Sequence, residues 1–408
     1  MNLSSEYSVS ATTSERPTSY IPFARPVIGK EEEASVLEVL RSGWLTTGKY
    51  AAELETAFAS YFKVPYAMAV NSATSGLHLA LEALGIGAGD YVISSPYTFT
   101  ATVEVARYLG AHPLFVDIED TSFNIDPVLL EKTLRSQGDK VKCVVPVHLG
   151  GQPCDMTAIS ELANRYHIPI VEDAAHALPC VTNSGDAGTV GDAGIFSLYA
   201  TKNITSGEGG ILITQSQDIA ARVGTMRLHG IDRDVWNRYQ AESPVTWEYD
   251  VVAPGFKYNM PDLAAAVGLA QLRKVDDFHR RRVQVASEYL KAFKEYDFLI
   301  PPPEVPGHSW HLFILGLRAD KCALDRDGFM IELMRHGIGV SMHYRPLHLM
   351  SYYKKTYGFT DTQFQRSVSR YRQSFSLPLY PSLSDEEVAR IIDAVISTGK
   401  KFYQAHGS

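Results

Sequence analysis

The chain of 408 residues has the composition of a globular protein, with 45% hydrophobic and 21% charged residues. This length predicts two or three structural units and a core that needs no disulfide or metal to be stable. The formal net charge of −8 argues against a nucleic-acid or anionic-membrane partner, because both require a basic protein surface. No apolar stretch approaches the ~20 residues of a membrane helix, and residues 1–19 lack the apolar core of a signal peptide.

The cysteines favour a cytoplasmic protein without a structural metal. They form no CxxC pair and no Cys/His cluster with zinc-finger spacing, so we expect reduced, buried thiols and no metal site. These residues are Cys143, Cys154, Cys180 and Cys322.

From about Ile28 the chain alternates short apolar runs with amphipathic segments, among them helical patterns at Pro127–Ser136 and Met156–Tyr166. Strands that alternate with helices predict an α/β unit in which a mostly parallel sheet is covered on both faces. The apolar runs predicted as strands are Tyr66–Val70, Tyr91–Ser94, Pro113–Val116, Cys143–His148, Ile168–Asp173, Ile195–Tyr199 and Gly210–Thr214.

After about residue 252 the pattern changes. A long helical pattern covers Asp262–Tyr296 with a break near Asp276, a strand-like run covers His311–Leu317, and an amphipathic helix covers Asp385–Phe402. The predicted divisions are an N-terminal tail at 1–24, a large α/β domain at 25–252, and a long connecting helix with a smaller α+β domain at 253–408.

Three short segments carry the candidate chemistry, and the first is Asn71–Gly76, which lies between a predicted strand and a predicted helix. Ser72 is the expected N-cap of that helix. Its small residues let the backbone N–H groups of a helix N-terminus approach an anion such as phosphate. An ordinary capped turn is the alternative interpretation.

The second segment holds Glu172, Asp173 and His176 at the C-terminal end of an apolar strand. Open α/β sheets place ligands at such strand ends, and a carboxylate that is half-buried there requires a cationic partner. A solvated loop acid is the alternative interpretation.

The third segment places Lys202 just beyond a strand, five residues after Ser197 and before the glycine-rich turn Gly207–Gly210. A lysine in a partly desolvated pocket has a lowered pKa and becomes a nucleophile towards carbonyl groups. A surface lysine in a turn is the alternative interpretation.

Together the three segments predict one ligand with three chemical groups. It would carry a phosphate for the helix N-terminus and Ser197, a basic ring nitrogen for Asp173, and an aldehyde for Lys202. Pyridoxal 5′-phosphate has all three groups, and a carboxylate beside its ring nitrogen keeps that nitrogen protonated.

The sequence from about Arg25 to the C-terminal helix resembles the DegT/DnrJ/EryC1/StrS sugar aminotransferases, which have the fold type I of aspartate aminotransferase. The resemblance implies an α/β large domain with a mostly parallel seven-stranded sheet between helices, and a smaller C-terminal α+β domain. It rests on six motifs in the same order, VNSATSGLHLAL, SPYTFTATVEV, VHLGGQPCDM, VEDAAHA, GDAGIFSLYATKNITSGEGG and KYNMPDLAAAVGLAQL.

The resemblance also implies a role for individual residues in binding pyridoxal 5′-phosphate. Lys202 matches the lysine that binds the cofactor aldehyde and moves the proton, and Asp173 matches the acid beneath the pyridine nitrogen. His176 matches the residue near the phenolic oxygen, and Phe99 matches the aromatic residue that stacks on the ring.

The same resemblance implies how the phosphate is held. Ala73 and Thr74 match the phosphate-binding turn, although the family often has glycine where Ala73 stands, and Ser197 supplies a hydroxyl group. Asn259 matches an asparagine that reaches the phosphate of the neighbouring subunit, which implies a homodimer with shared active sites.

The implied reaction moves an amino group from L-glutamate, through pyridoxamine phosphate, to a keto sugar linked to a nucleotide. The motifs look more like the subgroup that aminates carbon 4 of the sugar. The segment Met342–Tyr353 resembles a stretch near the sugar-nucleotide pocket, so His343 is either a substrate residue or a packed loop histidine. The diphosphate would have to meet basic residues such as Arg227, His229 or Arg345.

Several alternatives stay open at the level of sequence. Within the family they are an aminotransferase acting on a C3 keto sugar or an inosose, and a pyridoxal-dependent sugar dehydratase. The dehydratases replace the lysine with histidine, so Lys202 favours transamination. An amino-acid aminotransferase and a cofactor-binding regulatory protein are further alternatives, whereas an oxidoreductase would require a GxGxxG turn that the first strand lacks.

Overall fold

The computed structural model describes residues 20–232 and 249–404, so residues 1–19 of the predicted tail at 1–24 lie outside the described residues. The α-helices are α1 Lys30–Ser42, α2 Lys49–Phe62, α3 Ala73–Ala83, α4 Ala101–Tyr108, α5 Pro127–Gln137, α6 Met156–Tyr166, α7 Gln217–Met226, α8 Asp262–Leu272, α9 Val275–Phe293, α10 Arg326–Arg335, α11 Ser351–Tyr357, α12 Gln365–Gln373 and α13 Asp385–Lys401. The β-strands are β1 Tyr66–Val70, β2 Tyr91–Ser94, β3 His112–Phe115, β4 Val141–Val144, β5 Val171–Asp173, β6 Val181–Thr182, β7 Gly185–Asp186, β8 Ala193–Ser197, β9 Gly210–Thr214, β10 Leu299–Ile300, β11 Phe313–Leu317 and β12 Ser374–Leu377.

Seven strands form the main sheet in the order β3-β2-β4-β5-β8-β9-β1. Its two halves join where β4 and β5 are bridged in parallel, at Val144–Ile170 and Val147–Asp173. Strand β9 runs antiparallel to both of its neighbours, and the other six strands are parallel to one another. The predicted mostly parallel, seven-stranded sheet is therefore confirmed.

The main sheet is covered by helices on both faces, as its side-chain alternation requires. Along β9, Ile211 and Ile213 pack in a cluster with α2 and α8, whereas Leu212 packs in another with α3 and α7. All three isoleucine and leucine side chains are fully buried. Burial of such a side chain stabilises the fold by roughly 1.5–3 kcal/mol, so an apolar run without polar gaps is what this central strand needs.

The C-terminal part has a separate antiparallel sheet, β10-β11-β12, packed against α9, α10 and α13. The long helical pattern breaks between α8 and α9 at Arg273 and Lys274, close to the break predicted near Asp276. Lys274 is the N-cap of α9, and its amino group donates to the buried carboxylate of Glu32 at 2.7 Å. The domain boundaries at 24/25 and 252/253 stay predictions.

Residues 20–28 cross from the C-terminal part back to the main sheet, and we call them the strap. The backbone N–H of Ile21 donates to the carbonyl of Gly337, and Gly339 donates to the carbonyl of Ile21. The ring of Phe23 stacks on His343 with 5.3 Å between ring centroids. Among the described residues, we find no helix with the length and apolar character needed to cross a bilayer.

Candidate active site

A cavity of about 450 Å³, which we call the main cavity, opens at the C-terminal ends of β5 and β8 and the N-terminus of α3. The structure brings together here most of the residues that the sequence singled out. Those that line the main cavity are Ala73, Thr74, Phe99, Asp173, His176, Ser197, Lys202 and His343. Asn259 does not line it.

The turn before α3 offers backbone donors to this cavity. Ser72 caps the helix, as predicted, by accepting a hydrogen bond from the Ser75 amide at 3.1 Å. Nothing in the described part of the chain accepts from the amides of Ala73 and Thr74, the first two residues of the helix. With the Ser197 hydroxyl also lining the cavity, these donors suit an anion such as a phosphate group.

Gly210 allows the helix to approach the sheet this closely. A Cβ atom on Gly210 would lie 2.6 Å from both the Ala73 nitrogen and the Ser72 carbonyl carbon. Ser197 of β8 pairs directly with Gly210. Any larger residue at position 210 would therefore push the N-terminus of α3 away from Ser197.

Asp173 lies at the end of β5, where two hydrogen-bond donors of the protein reach its carboxylate. Its carboxylate accepts from the Thr102 hydroxyl at 2.7 Å and from the Ala175 amide at 3.1 Å. Burial raises the pKa of Asp173, and these two hydrogen bonds oppose the rise only in part. A cationic ligand group at this carboxylate would relieve the cost of its burial.

Lys202 is partly buried between the main cavity and the loop that follows β8. Burial lowers the pKa of its amino group to about 8, while the negative charge of Asp173 opposes that decrease. At neutral pH, a fraction of Lys202 is therefore the free amine, which is the nucleophilic form.

His176 has a defined tautomer. Its Nδ1 accepts a hydrogen bond from the Gly150 amide at 3.1 Å, so the ring proton lies on Nε2. Burial, with Lys202 next in importance, holds the pKa of His176 well below its usual range, which keeps the ring neutral. Its Nε2–H lies 3.3 Å from the Tyr344 hydroxyl.

Phe99 and Tyr344 provide aromatic walls. The ring centroids are 5.9 Å apart, and Phe99 keeps 56% of its surface exposed although it is a large apolar residue. An exposed phenyl ring beside a carboxylate and a lysine is suited to stacking on a planar ligand.

The sequence analysis missed two residues of this site, Thr102, which donates to Asp173, and Tyr344, which lines the main cavity. Thr102 lies three residues after Phe99 in a quoted motif, and Tyr344 directly follows His343. Helical spacing after Phe99 was a usable signal for Thr102, because α4 begins at Ala101. No local pattern indicates that Tyr344 meets His176, which is 168 residues away.

His343 fits both of its alternatives in part. It lines the main cavity, yet its Nδ1 lies 2.9 Å from the Ser376 hydroxyl and its ring stacks on Phe23. Burial lowers its pKa to about 4. Of the basic residues considered for a diphosphate, Arg227 forms an ion pair with Glu55.

Asn259 lies in another cavity of about 260 Å³, which we call the side cavity and which Thr47, Arg227 and Lys257 also line. Its amide donates to the Thr47 hydroxyl at 2.7 Å. Within one chain, Asn259 is therefore separate from the group around Lys202.

Residues 26–396 match the sequence model of the DegT/DnrJ/EryC1/StrS aminotransferase family. This chain belongs to that family. It is 42% identical over 379 residues to the spore coat polysaccharide biosynthesis protein SpsC of Bacillus subtilis, which covers 92% of this chain and 96% of SpsC.

Solved structures show the same fold. A putative sugar aminotransferase from Streptococcus pneumoniae, Spr1654, in its PMP form matches with a TM-score of 0.86 and 32% identity, covering 93% of this chain and 99% of that one. Helicobacter pylori PseC, an aminotransferase involved in the biosynthesis of pseudoaminic acid, matches with a TM-score of 0.86 and 26% identity, covering 94% and 100%.

The DegT/DnrJ/EryC1/StrS aminotransferases depend on pyridoxal 5′-phosphate, and the main cavity fits that cofactor. The amides of Ala73 and Thr74 lack protein acceptors in the described residues, as a phosphate site requires. Asp173 is buried, no cation of the described part of the chain is in hydrogen-bonding contact with it, and Lys202 has a lowered pKa.

Proposed function

We propose that this protein is a pyridoxal-phosphate-dependent aminotransferase acting on a sugar linked to a nucleotide. It would move the amino group of L-glutamate to a 4-keto-6-deoxy sugar or a related keto sugar, giving a 4-amino sugar nucleotide. The observation that carries the proposal is that Lys202, Asp173 and the N-terminus of α3 line one cavity.

In this proposal the residues of the main cavity bind the cofactor at both ends. The amides of Ala73 and Thr74 and the hydroxyl of Ser197 bind the phosphate. The Asp173 carboxylate accepts a hydrogen bond from the protonated ring nitrogen, and the Thr102 hydroxyl fixes the orientation of that carboxylate.

The remaining residues hold the ring and move the proton. Nε2–H of His176 donates to the phenolic oxygen, and Phe99 stacks on the ring. The bound cofactor supplies an aldehyde for amines and a ring that withdraws electrons. The Nζ of Lys202, with its pKa of about 8, takes up and returns the proton at neutral pH.

The names of similar proteins support a carbohydrate product. SpsC is named for spore coat polysaccharide biosynthesis, and PseC takes part in the biosynthesis of pseudoaminic acid. We infer that the amino sugar made by this protein enters a polysaccharide or another glycoconjugate. His343, beside Lys202 in the main cavity, is the proposed sugar-side residue.

A homodimer completes the proposal. Asn259 lies outside the main cavity of its own chain, as expected of a residue that serves the phosphate of a neighbouring subunit. Each active site would then need both chains.

The test is the visible absorbance of the purified protein saturated with pyridoxal 5′-phosphate. We expect a yellow protein that bleaches with L-glutamate, stays yellow with D-glutamate, and regains its colour with a nucleotide-linked 4-keto sugar. Colour that returns only with a 3-keto sugar or an inosose would contradict the proposed acceptor. A yellow colour that does not bleach when L-glutamate is added would contradict the proposed donor.

A variant shows whether the lysine carries the reaction. We expect Lys202→Ala to lower amino transfer by at least about 10³-fold, because it removes both the nucleophile and the proton carrier. Lys140→Ala, at an exposed lysine, should leave the rate unchanged. Wild-type activity in Lys202→Ala would contradict the mechanism.

A further inference from the structure

Behind Lys202 lies a third and smaller cavity of about 40 Å³, which we call the rear cavity. Phe23 and Ala24 of the strap form one wall, and Lys202 lines both this cavity and the main one. The other polar side chains around it belong to Thr201, His311, His343 and Tyr344. A buried space with room for a water molecule and several polar partners satisfies the conditions for an ordered water.

The hydrogen bonds around Asn203 define the tautomer of His311. The Asn203 side-chain nitrogen lies 2.7 Å from the Leu178 carbonyl and 3.3 Å from the Ser309 carbonyl, so that nitrogen is the donor. Its oxygen therefore faces Nδ1 of His311, at 3.0 Å, and must accept a hydrogen bond from Nδ1–H.

The other ring nitrogen of His311 is then a free acceptor. In a neutral imidazole that carries its proton on Nδ1, Nε2 has a lone pair. Nε2 has no hydrogen-bond partner in the described part of the chain, yet it is not among the fully enclosed unpaired atoms. It is therefore open to the rear cavity, which His311 lines.

The surroundings of His311 keep its ring neutral. The groups that face it are His176 after β5, Lys202 after β8, Arg282 on α9 and His343. Burial is the largest cause that holds the pKa of His311 well below its usual range, and the positive charges of Lys202 and Arg282 act in the same direction. The ring of His176 is stacked on it with a centroid distance of 4.4 Å, so a second proton would be costly in this position.

The backbone of His311 is also fixed. The guanidinium of Arg282 donates to the carbonyls of Trp310, His311 and Leu379, and no carboxylate is paired with it in the described residues. The acceptor nitrogen is thus held from two sides, by Asn203 through the ring and by Arg282 through the main chain.

We propose that His311 is a positioning residue for Lys202. One water molecule in the rear cavity accepts a hydrogen bond from the Lys202 amine and donates one to Nε2 of His311. This hydrogen bond holds the Lys202 amine in one position whenever it is not bound to the cofactor. To that extent the proposal rests on the proposed function. Asn203, which directly follows Lys202 in the sequence, sets the tautomer that makes the acceptor available.

The tautomer can be observed directly. Histidine labelled with ¹⁵N in the full-length protein, freed of cofactor, distinguishes the two forms by their nitrogen shifts and proton couplings, and either His311→Asn or His311→Gln identifies the signal. We expect a neutral His311 with its proton on Nδ1. A proton on Nε2, or a charged ring at neutral pH, would overturn the proposal.

Two substitutions of His311 separate its two nitrogens. His311→Asn keeps a donor for Asn203 but has no acceptor at the place of Nε2. His311→Gln places an amide oxygen near that place. The matched control is His308→Asn, a buried histidine in the same segment that stacks on Trp310 at 3.9 Å and does not line the rear cavity.

The readout is the pKa of Lys202 in the cofactor-free protein, from the pH dependence of its acetylation, with exposed Lys140 as internal reference. Loss of an acceptor destabilises the ammonium form, so His311→Asn should lower the pKa of Lys202 by about one unit, a tenfold change in its ionisation constant. His311→Gln should restore most of this shift, and His308→Asn should cause none. An unchanged pKa in His311→Asn, or an equal shift in His308→Asn, would overturn the proposal.

Activity of the loaded enzyme separates this proposal from the proposed function. Amino transfer in His311→Asn should fall about tenfold, with the largest loss on the alkaline side of the pH profile, where the lowered pKa of Lys202 leaves less of the ammonium form that returns the proton, and His311→Gln should recover it. A wild-type protein that transfers no amino group would refute the proposed function, while the tautomer and the lysine pKa would still test the placement of His311.

Discussion

Glu172 and Asp173 are neighbours in β5, and their side chains have different roles because successive residues of a strand point to opposite faces of the sheet. The Glu172 carboxylate accepts from the amides of Gly188, Val190 and Gly191. It also accepts from Nε2–H of His148, whose Nδ1 is occupied by the Cys154 amide. Glu172 thus fixes the loop before β8, and Asp173 alone faces the main cavity.

We therefore expect Glu172→Gln to lower the free energy of unfolding by about 3 kcal/mol, because its amide would face donors and leave buried groups unpaired. Urea unfolding of the cofactor-free protein measures the change. Glu161→Gln, on the surface of α6, is the control and should stay within about 0.5 kcal/mol of the wild type. A loss no larger than that of the control would show that the loop does not depend on this carboxylate.

The raised pKa of Asp173 predicts a pH-dependent stability. Between its ordinary value of 3.8 and its raised value, the folded cofactor-free protein binds more protons than the unfolded chain. The contribution of Asp173 to the free energy of unfolding therefore falls as the pH rises through that window. Asp173→Asn, which carries no charge, should be more stable than the wild type at pH 7.

This advantage of Asp173→Asn should shrink as the pH is lowered through the raised pKa, whereas its affinity for the cofactor should fall at every pH. Thermal unfolding between pH 7.5 and pH 4.5, with exposed Asp393→Asn as control, checks the sign. A less stable Asp173→Asn at pH 7 would contradict the burial cost assigned to this carboxylate.

At the scale of elements, the site depends on how closely α3 lies against β9. Glycine at position 210 leaves room for the Ser72–Ala73 peptide, and a Cβ there would meet three backbone atoms within 2.7 Å. Backbone cannot move aside as a flexible side chain can. The anion-binding turn and Ser197 are therefore fixed relative to each other by the packing of a helix on a strand.

Gly210→Ala should lower the free energy of unfolding by about 1–3 kcal/mol and weaken cofactor binding, because α3 must shift away from Ser197. Gly224→Ala, in the last turn of α7 with no atom within 4 Å of an added Cβ, should be stabilising by up to about 1 kcal/mol. Urea unfolding and cofactor titration of both variants test the contrast. Equal effects would show that the close approach at Gly210 is not needed.

The local sequence pattern was sufficient to predict the helices and strands, but it was insufficient to predict which of them contact one another. The apolar runs at Tyr66–Val70, Tyr91–Ser94 and Gly210–Thr214 are strands with the predicted bounds, and Met156–Tyr166 is a helix with the predicted bounds. The observed β4 covers 141–144, whereas the predicted strand covers 143–148. Beyond residue 144 the backbone keeps isolated hydrogen bonds to its neighbours, such as the Val145 amide to the Ile93 carbonyl and the His148 amide to the Asp173 carbonyl. Periodicity does not indicate where a regular ladder gives way to such isolated bonds.

The candidate site divides in the same way. Lys202, Asp173 and Ser197 follow strands of the parallel set or end them, so sequence order and strand direction place them at one edge of the sheet. Tyr344 and His311 reach that edge from the C-terminal part. Their contacts with His176 and Asn203 span more than 100 residues, a distance over which a single sequence gives no pairing signal.

For the whole molecule, the separation of the main and side cavities predicts complementation between subunits. Mixed dimers of Lys202→Ala and Asn259→Asp chains contain one site with both wild-type residues, if Asn259 serves the neighbouring subunit. An equal, randomised mixture should then recover about a quarter of wild-type activity, since half of the dimers are mixed and half of their sites are intact.

The control mixes Lys202→Ala with Asp173→Asn, two residues that line one cavity of one chain. Every site in those mixed dimers keeps a defect, so no activity should return. Activity measured after unfolding and refolding the mixtures together decides the question. Recovery in the control, or its absence in the first mixture, would contradict a shared active site.

The strap gives this protein an order of assembly during synthesis. Phe23 and Ala24 leave the ribosome early, whereas the backbone at Gly337–Gly339 that binds the nearby Ile21 follows about 300 residues later. The wall behind Lys202 therefore cannot close before Gly339 has been synthesised. Until then its reactive amine remains open to solvent, so a chain released early would hold the sheet and the lysine without the enclosure in which that lysine works.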